Sequence, residues 1–282
     1  MTRSAQAACL WRRFSARRSR PSAVAPLLAL WCLALAISAA SGAAPAWAAT
    51  GDPLLPDLLT RPHTQLYVQG DQLRLSNTIT NRGVGPLEIF PRPGNDCDGD
   101  GSTTDDRFAY QRIFLDSSNP SSPGYFVRGQ DTRSTTHLVG CMVFHPTHNH
   151  WHFEDFALYY LRRESTGAVV AQSKKTGFCV TDGEHPFPSL PGSPSSHYYT
   201  GCSSASTEGI SIGWSDTYGA SLDGQSLTVG SLPAANYCLI SKVDPPDRLQ
   251  ETNNSNNARR TRIYLDPSHG TVNRLSGTCQ FP

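Results

Sequence analysis

His145-Pro-Thr-His148-Asn-His150-Trp-His152-Phe-Glu-Asp-Phe156-Ala-Leu-Tyr159-Tyr160-Leu161 is the most informative stretch of the 282-residue chain. Its second part, Phe156–Leu161, is rich in aromatic and apolar residues and reads as a β-strand. Its first part holds four of the nine histidines within eight residues. If the strand extends back through them, His148, His150 and His152 occupy alternate positions and share one face, with successive Cα atoms about 6.8 Å apart at a rise of roughly 3.4 Å per residue. Imidazoles in such a row can reach one ion at roughly 2.0–2.1 Å while Asn149 and Trp151 point away. Imidazole donors suit copper, zinc, iron or nickel, so spacing alone leaves the metal open. Competing readings are weaker. A histidine-rich loop does not require alternation, and a cupin-type motif beginning at His148, His150 and Glu154 lacks its downstream Pro-x-Gly-x-x-His half.

Similar short runs surround this strand: Gln65–Val68, Gln72–Thr80, Leu87–Phe90, Phe108–Phe114, Val169–Ser173, Ser226–Val229, Tyr237–Val243 and Arg260–Leu265. Turn-forming segments at Asn81-Arg82-Gly83, Asn95–Gly101 and Pro191–Ser196 separate several of them. Many short strands with long polar loops predict a mainly β protein, an antiparallel β-sandwich with long loops in a single domain, residues 49–282. A hydrophobic share of 38% is enough for a core and excludes wholesale disorder. Heptads and long helical periodicity are missing, which argues against coiled coils and bundles. Only two Met residues are present, which argues against a copper carrier built on several thioether ligands.

Residues 1–48 differ from the rest. They carry six Arg, no acid, an apolar run from about Val24 to Ala39 and a small-x-small site at Ala46-Trp47-Ala48. This order predicts a secretory signal peptide and a secreted, periplasmic or extracellular product. If it is not cleaved, Ala23–Ala44 is nearly long enough to anchor the chain in a membrane. Six of the 24 basic residues and none of the 23 acidic ones lie in this leader, so residues 49–282 carry a net charge of −5. That balance argues against a nucleic-acid partner. Six cysteines remain after the leader, Cys97, Cys141, Cys179, Cys202, Cys238 and Cys279, with no CxxC pair. In an exported chain they predict three disulfides, for which fifteen connectivities are open.

Taken together these segments resemble the catalytic domain of the lysyl oxidases. That family's copper-binding His-x-His-x-His motif and the aromatic strand after it are matched by His148-Asn-His150-Trp-His152 with Phe156 and Tyr159-Tyr160. Its segment of Lys, two small residues, Phe-Cys and an acid is matched by Lys175-Thr-Gly-Phe178-Cys179-Val-Thr-Asp182. Its Asp-x-Tyr stretch is matched by Asp216-Thr-Tyr218 with Asp223 beyond. Asp244-Pro245, Glu251-Thr-Asn-Asn-Ser-Asn256-Asn257, Leu55-Pro56-Asp57-Leu58 and Asn77 to Gly83 extend the likeness over the mature chain. The resemblance implies copper on His148, His150 and His152, and a lysine tyrosylquinone cofactor formed from Lys175 and Tyr218, with Lys174 as the competing register. Asp216 is the expected base, two positions before Tyr218, and His145 the expected partner of a ligand.

The implied activity is copper- and quinone-dependent oxidation of primary amines, peptidyl lysine among them, by dioxygen. The products would be an aldehyde, ammonia and hydrogen peroxide. The alternative is an exported copper-binding β-sandwich without catalysis. Some family features are absent. Thr147 stands near a family cysteine, and the gap from His152 to Phe156 is one residue short. The two cysteines that flank the family's tyrosine align with Trp214 and Gly224, which predicts a Tyr218 loop held by packing alone. Separately, Asp96-Cys-Asp98-Gly-Asp100-Gly101 spaces carboxylates like the start of a calcium loop. Its twelfth position is Arg107 instead of Glu, so it is no EF-hand, and Asp105 or Asp106 is the available substitute.

Overall fold

A computed structural model describes residues 51–94, 96–117, 124–174 and 176–282. The predicted leader and Lys175 lie outside the described residues. The strands are β1 (Pro53–Leu54), β2 (Leu58–Thr60), β3 (Leu66–Gln69), β4 (Gln72–Leu75), β5 (Asn77–Asn81), β6 (Leu87–Pro93), β7 (Asp106–Leu115), β8 (Ser134–His145), β9 (His150–Arg163), β10 (Val169–Gln172), β11 (Thr176–Phe178), β12 (Glu208–Ile210), β13 (Ser215–Tyr218), β14 (Ser226–Thr228), β15 (Ala235–Val243), β16 (Ala258–Asp266) and β17 (Thr271–Arg274). One large antiparallel sheet runs β12-β6-β7-β8-β9-β15-β16-β17, with β1 on β7 and with β10 and β11 on β9. Two three-stranded sheets, β13-β5-β2 and β14-β4-β3, complete the antiparallel architecture.

The small sheets lie against the large one at β9, β10, β15, β16 and β17. Their Leu58, Leu73, Leu75 and Ile79 join Phe156, Tyr159, Leu161, Leu239, Ile263 and Leu265 in one buried core. Each such side chain contributes roughly 1.5–3 kcal/mol on full burial. Three disulfides, Cys97–Cys141, Cys179–Cys202 and Cys238–Cys279, staple the loops. The expected disulfide-stapled, mainly β architecture is the one found. Among the described residues no helix is long and apolar enough to cross a membrane.

The single run expected over Gln72–Thr80 is two strands, because the chain changes sheets at Ser76. The Ser76 hydroxyl accepts from the backbone N–H groups of Thr64 (2.8 Å) and Gln65 (3.0 Å), which pins the crossing. The Ser76 carbonyl accepts from Nδ1 of His63 at 2.6 Å, and Nε2 of the same ring lies 3.3 Å from Ser241 Oγ. Burial, reinforced by Arg274 and Arg259, pulls the His63 imidazole down to about 4. Above the ordinary value of 6.5 both folded and unfolded chains hold this ring neutral. Below it the unfolded chain takes up a proton that the folded chain refuses. His63 should therefore withdraw about 2–3 kcal/mol of stability between about pH 7 and about pH 4.5. Urea unfolding at the two pH values checks this. His63→Asn should lose that share of the acid sensitivity, and equal acid losses in both proteins would refute it.

Candidate functional site

β8 and β9 form a hairpin paired from Met142↔Phe153 to His145↔His150. Its turn is closed by hydrogen bonds from the N–H groups of His148 (3.1 Å) and Asn149 (2.8 Å) to the His145 carbonyl. Asn149 takes φ = 55°, a left-handed conformation that Asn tolerates better than most residues. The expected row of three histidines on one strand face is therefore corrected. His150 and His152 alternate on β9, whereas His148 comes from the turn and swings back over them. A second left-handed residue, Asp155 (φ = 60°), marks a bulge where the β9–β11 register slips. The bulge breaks strict alternation and lets both Phe153 and Phe156 be buried.

The three imidazoles converge. Ring centroids of His148 lie 5.5 Å from His150 and 5.4 Å from His152, with 4.8 Å between His150 and His152. One nitrogen from each ring lies within 4.8 Å of the other two. Nε2 of His150 and Nε2 of His152 are only 2.8 Å apart. Desolvation, then the neighbouring histidines, lowers His152 to about 3, and desolvation first also lowers His150. Both shifts favour the neutral form of the ring, the form that a metal ligand must adopt. Three converging imidazoles in this arrangement fit a copper ion, and His148, His150 and His152 are the residues that could hold it.

The ring of His145 lies tilted beside that of His152, 4.2 Å between centroids, and its Nε2 meets Glu154 Oε1 at 3.0 Å. That carboxylate holds the His145 ring above its ordinary range. His145, His152 and Glu154 make a second group whose ligand atoms lie within 4.8 Å of one another. Glu154 fits there because β11 carries Gly177 opposite it. A Cβ on Gly177 would sit 2.3 Å from Glu154 Oε1.

Tyr218 ends β13, which pairs with β5 from Ser215↔Thr80 to Tyr218↔Asn77. Its hydroxyl accepts from Cys179 N–H at 2.6 Å and donates to the Cys179 carbonyl at 3.2 Å. Its ring stacks on Phe178 at 3.8 Å, and Phe178 meets the edge of Phe156 at 5.6 Å. Burial, then the charge of Asp216, pushes the phenol above its usual range. Asp216 is itself pushed up by burial, against the N–H groups of Thr181 and Thr217. Packing alone does not hold this segment. Hydroxyl pairs Thr80–Ser215 (2.6 Å) and Thr78–Thr217 (3.0 Å) reinforce the ladder, and Trp214 stacks on His185 at 4.2 Å while its indole N–H donates to the Pro194 carbonyl.

His148, His150, His152, Asp216 and Tyr218 line one cavity of about 440 Å³, with Gly177, Cys179 and Thr181 between them. Asp223 joins the lining, exposed, with Oδ2 3.5 Å from His148 Nε2. Lys174 is exposed. Thr176 packs so tightly on the loop after Tyr218 that a Cβ on Gly224 would lie 2.7 Å from its methyl group. Sequence reasoning did not find the backbone of Cys179 or the ring of Phe178 as the supports of Tyr218. Their place in the Lys175–Asp182 motif was the only signal. The disulfide Cys179–Cys202 links this support to the histidines, since Trp151 N–H donates to the Cys202 carbonyl at 2.8 Å.

The sequence profile of the lysyl oxidase family matches residues 130–275, more than half of the chain. Lysyl oxidase homolog 1 of Homo sapiens is 33% identical over 122 residues, which cover 43% of this chain and 20% of that protein. Protein-lysine 6-oxidase of Sus scrofa is 32% identical over 127 residues, 45% of this chain and 48% of that protein. The chain thus spans less than half the length of these relatives. The matched stretch contains the histidine turn, β11 and the strand of Tyr218, and by this match the chain belongs to the lysyl oxidase family.

Proposed function

We propose that the chain is a copper-dependent amine oxidase of lysyl-oxidase type, exported after removal of residues 1–48, acting on primary amines such as lysine side chains. The overall reaction takes RCH2NH2, O2 and H2O to RCHO, NH3 and H2O2. In this reading His148, His150 and His152 hold copper, and Lys175 and Tyr218 form lysine tyrosylquinone. When bound, copper with dioxygen would supply oxidation of the phenol ring, and the quinone would supply the electron sink for the amine. The chain's own residues do the rest. Cys179 fixes the Tyr218 oxygen from both sides, and Phe178 covers one ring face and excludes water. Asp216 takes a proton from the carbon beside the substrate nitrogen. Burial raises its pKa, which makes the ionised carboxylate a stronger proton acceptor. Asp223, exposed on the cavity lining, offers a counter-charge to an arriving ammonium group.

The observation that carries the reading is the single cavity shared by three converging histidines and a tyrosine. A second reading, copper binding without a quinone, is favoured by a Tyr218 hydroxyl already satisfied by Cys179. Peptide mass spectrometry of copper-loaded, aerated protein separates them. A peptide joining Lys175 to Tyr218, with a chromophore that reacts with phenylhydrazine, supports the oxidase. Separate unmodified peptides overturn it.

Because His152 belongs to two candidate ligand groups, two variants test the copper assignment. His150→Ala should abolish copper retention, whereas Glu154→Ala should weaken it only about tenfold, as expected for a residue that orients a neighbouring ring. Competition with a chelator of known affinity measures both. The opposite order would move the ion to His145, His152 and Glu154.

A further inference from the structure

We propose that Asp96 and Asp98, between β6 and β7, and Asp106, at the start of β7, supply carboxylate oxygens to a calcium site. This site is independent of the oxidase reading.

One carboxylate oxygen from each of the three residues lies within 4.8 Å of the others. Asp106 is the residue that points to a ligand. It is 1% exposed, one of its oxygens accepts from Cys97 N–H at 2.6 Å, and the other is buried with no hydrogen-bond partner. A buried carboxylate oxygen left without a partner is costly, and a cation is the kind of group that would meet it. The adjacent Arg107 does not serve, because its guanidinium donates to the carbonyls of Thr104 and Asp106 and lies over the Trp151 ring at 5.1 Å. Asp98 is raised above its ordinary range, first by desolvation and then by the charges of Asp106, Asp100 and Asp96. Asp106 thus stands where the sequence lacked an acid, one position before Arg107.

The three carboxylates are an all-oxygen donor set, which suits a hard cation, and Cys97 is tied to Cys141, so soft metals find no thiolate here. The loop around it is irregular, with Gly99 at φ = 86° and Gly101 at φ = 94°, which suits the flexible coordination of calcium better than the strict octahedron of magnesium. The disulfide fastens the loop to β8. Asp98 also shares a cavity of about 330 Å³ with His145 and Glu154. A bound calcium would therefore stiffen the ground on which the histidine turn stands.

Hydrogen exchange of the full oxidised protein, read peptide by peptide after treatment with EGTA and then calcium alone, tests the site. Calcium on the order of 1 mM should protect the peptide spanning residues 96–107 by about tenfold once it exceeds the dissociation constant tenfold. Asp98→Asn changes an exposed side chain, so the fold survives it, and the protection should vanish. Asp106→Asn should lose it as well. Unchanged exchange of this peptide in the wild-type protein, protection confined to other segments, or equal protection in Asp98→Asn would each overturn the proposal.

Discussion

Tyr218→Phe should reduce amine-dependent peroxide release to background and eliminate the phenylhydrazine-reactive chromophore, while leaving a folded protein that still retains copper. The substitution removes one atom, the phenol oxygen that must become a quinone carbonyl. It preserves the 3.8 Å stack on Phe178, so the ring keeps its position. The cost to the fold comes from Cys179, whose N–H and carbonyl both lose their partner. Leaving such groups unsatisfied costs about 1–3 kcal/mol, and the low end applies because both Tyr218 and Cys179 are only partly buried and the cavity can admit water. Copper content, circular dichroism and oxygen consumption measured on one preparation separate a chemical defect from a folding defect. Turnover that survives in the folded variant would eliminate Tyr218 as the cofactor precursor and with it the proposed chemistry.

The second large effect is on stability. Phe178→Ala should cost about 3–5 kcal/mol, the range for emptying a buried aromatic site. Phe178 is fully buried and sandwiched between the Tyr218 ring and the edge of Phe156. Two aromatic contacts at roughly 0.5–1.5 kcal/mol each add to the area it buries. It also sits on β11 beside Cys179, so the space it leaves cannot close without moving the backbone that holds the Tyr218 hydroxyl. Urea unfolding with the disulfides intact measures the loss. Phe178→Leu should recover more than half of it, and a loss under about 1 kcal/mol in Phe178→Ala would show that this stack does not hold the site together.

How far the sequence alone reaches depends on the residue pattern of each strand. β7, β15 and β16 carry clusters of apolar and aromatic residues, such as Ile113–Leu115, Tyr237–Ile240 and Ile263–Leu265, and are visible as runs. β13 is Ser-Asp-Thr-Tyr, with no such pattern. It is a strand because its hydroxyls pair with Thr78 and Thr80 on β5, a partnership that no local signal encodes. β8 is missed for a related reason: its first half is exposed Ser and Thr, and Gly140 at φ = 146° interrupts its apolar half. In the histidine segment the residue types are legible but the backbone is not. Strict alternation places His148 in line with His150 and His152, and the turn at Asn149 folds it over them instead. The pairing of the cysteines is invisible for a simpler cause, since fifteen arrangements share one sequence.

The Cys179–Cys202 bridge bears on the order in which such a protein can mature. Cys179 lines the same cavity as the three histidines, so as free thiols this pair would offer copper soft sulfur ligands and a ready source of reducing electrons. Joined to each other, they can do neither. If the histidines take up copper as proposed, closing this bridge first would keep the metal away from sulfur, and the crosspiece that aligns the site would also shield it.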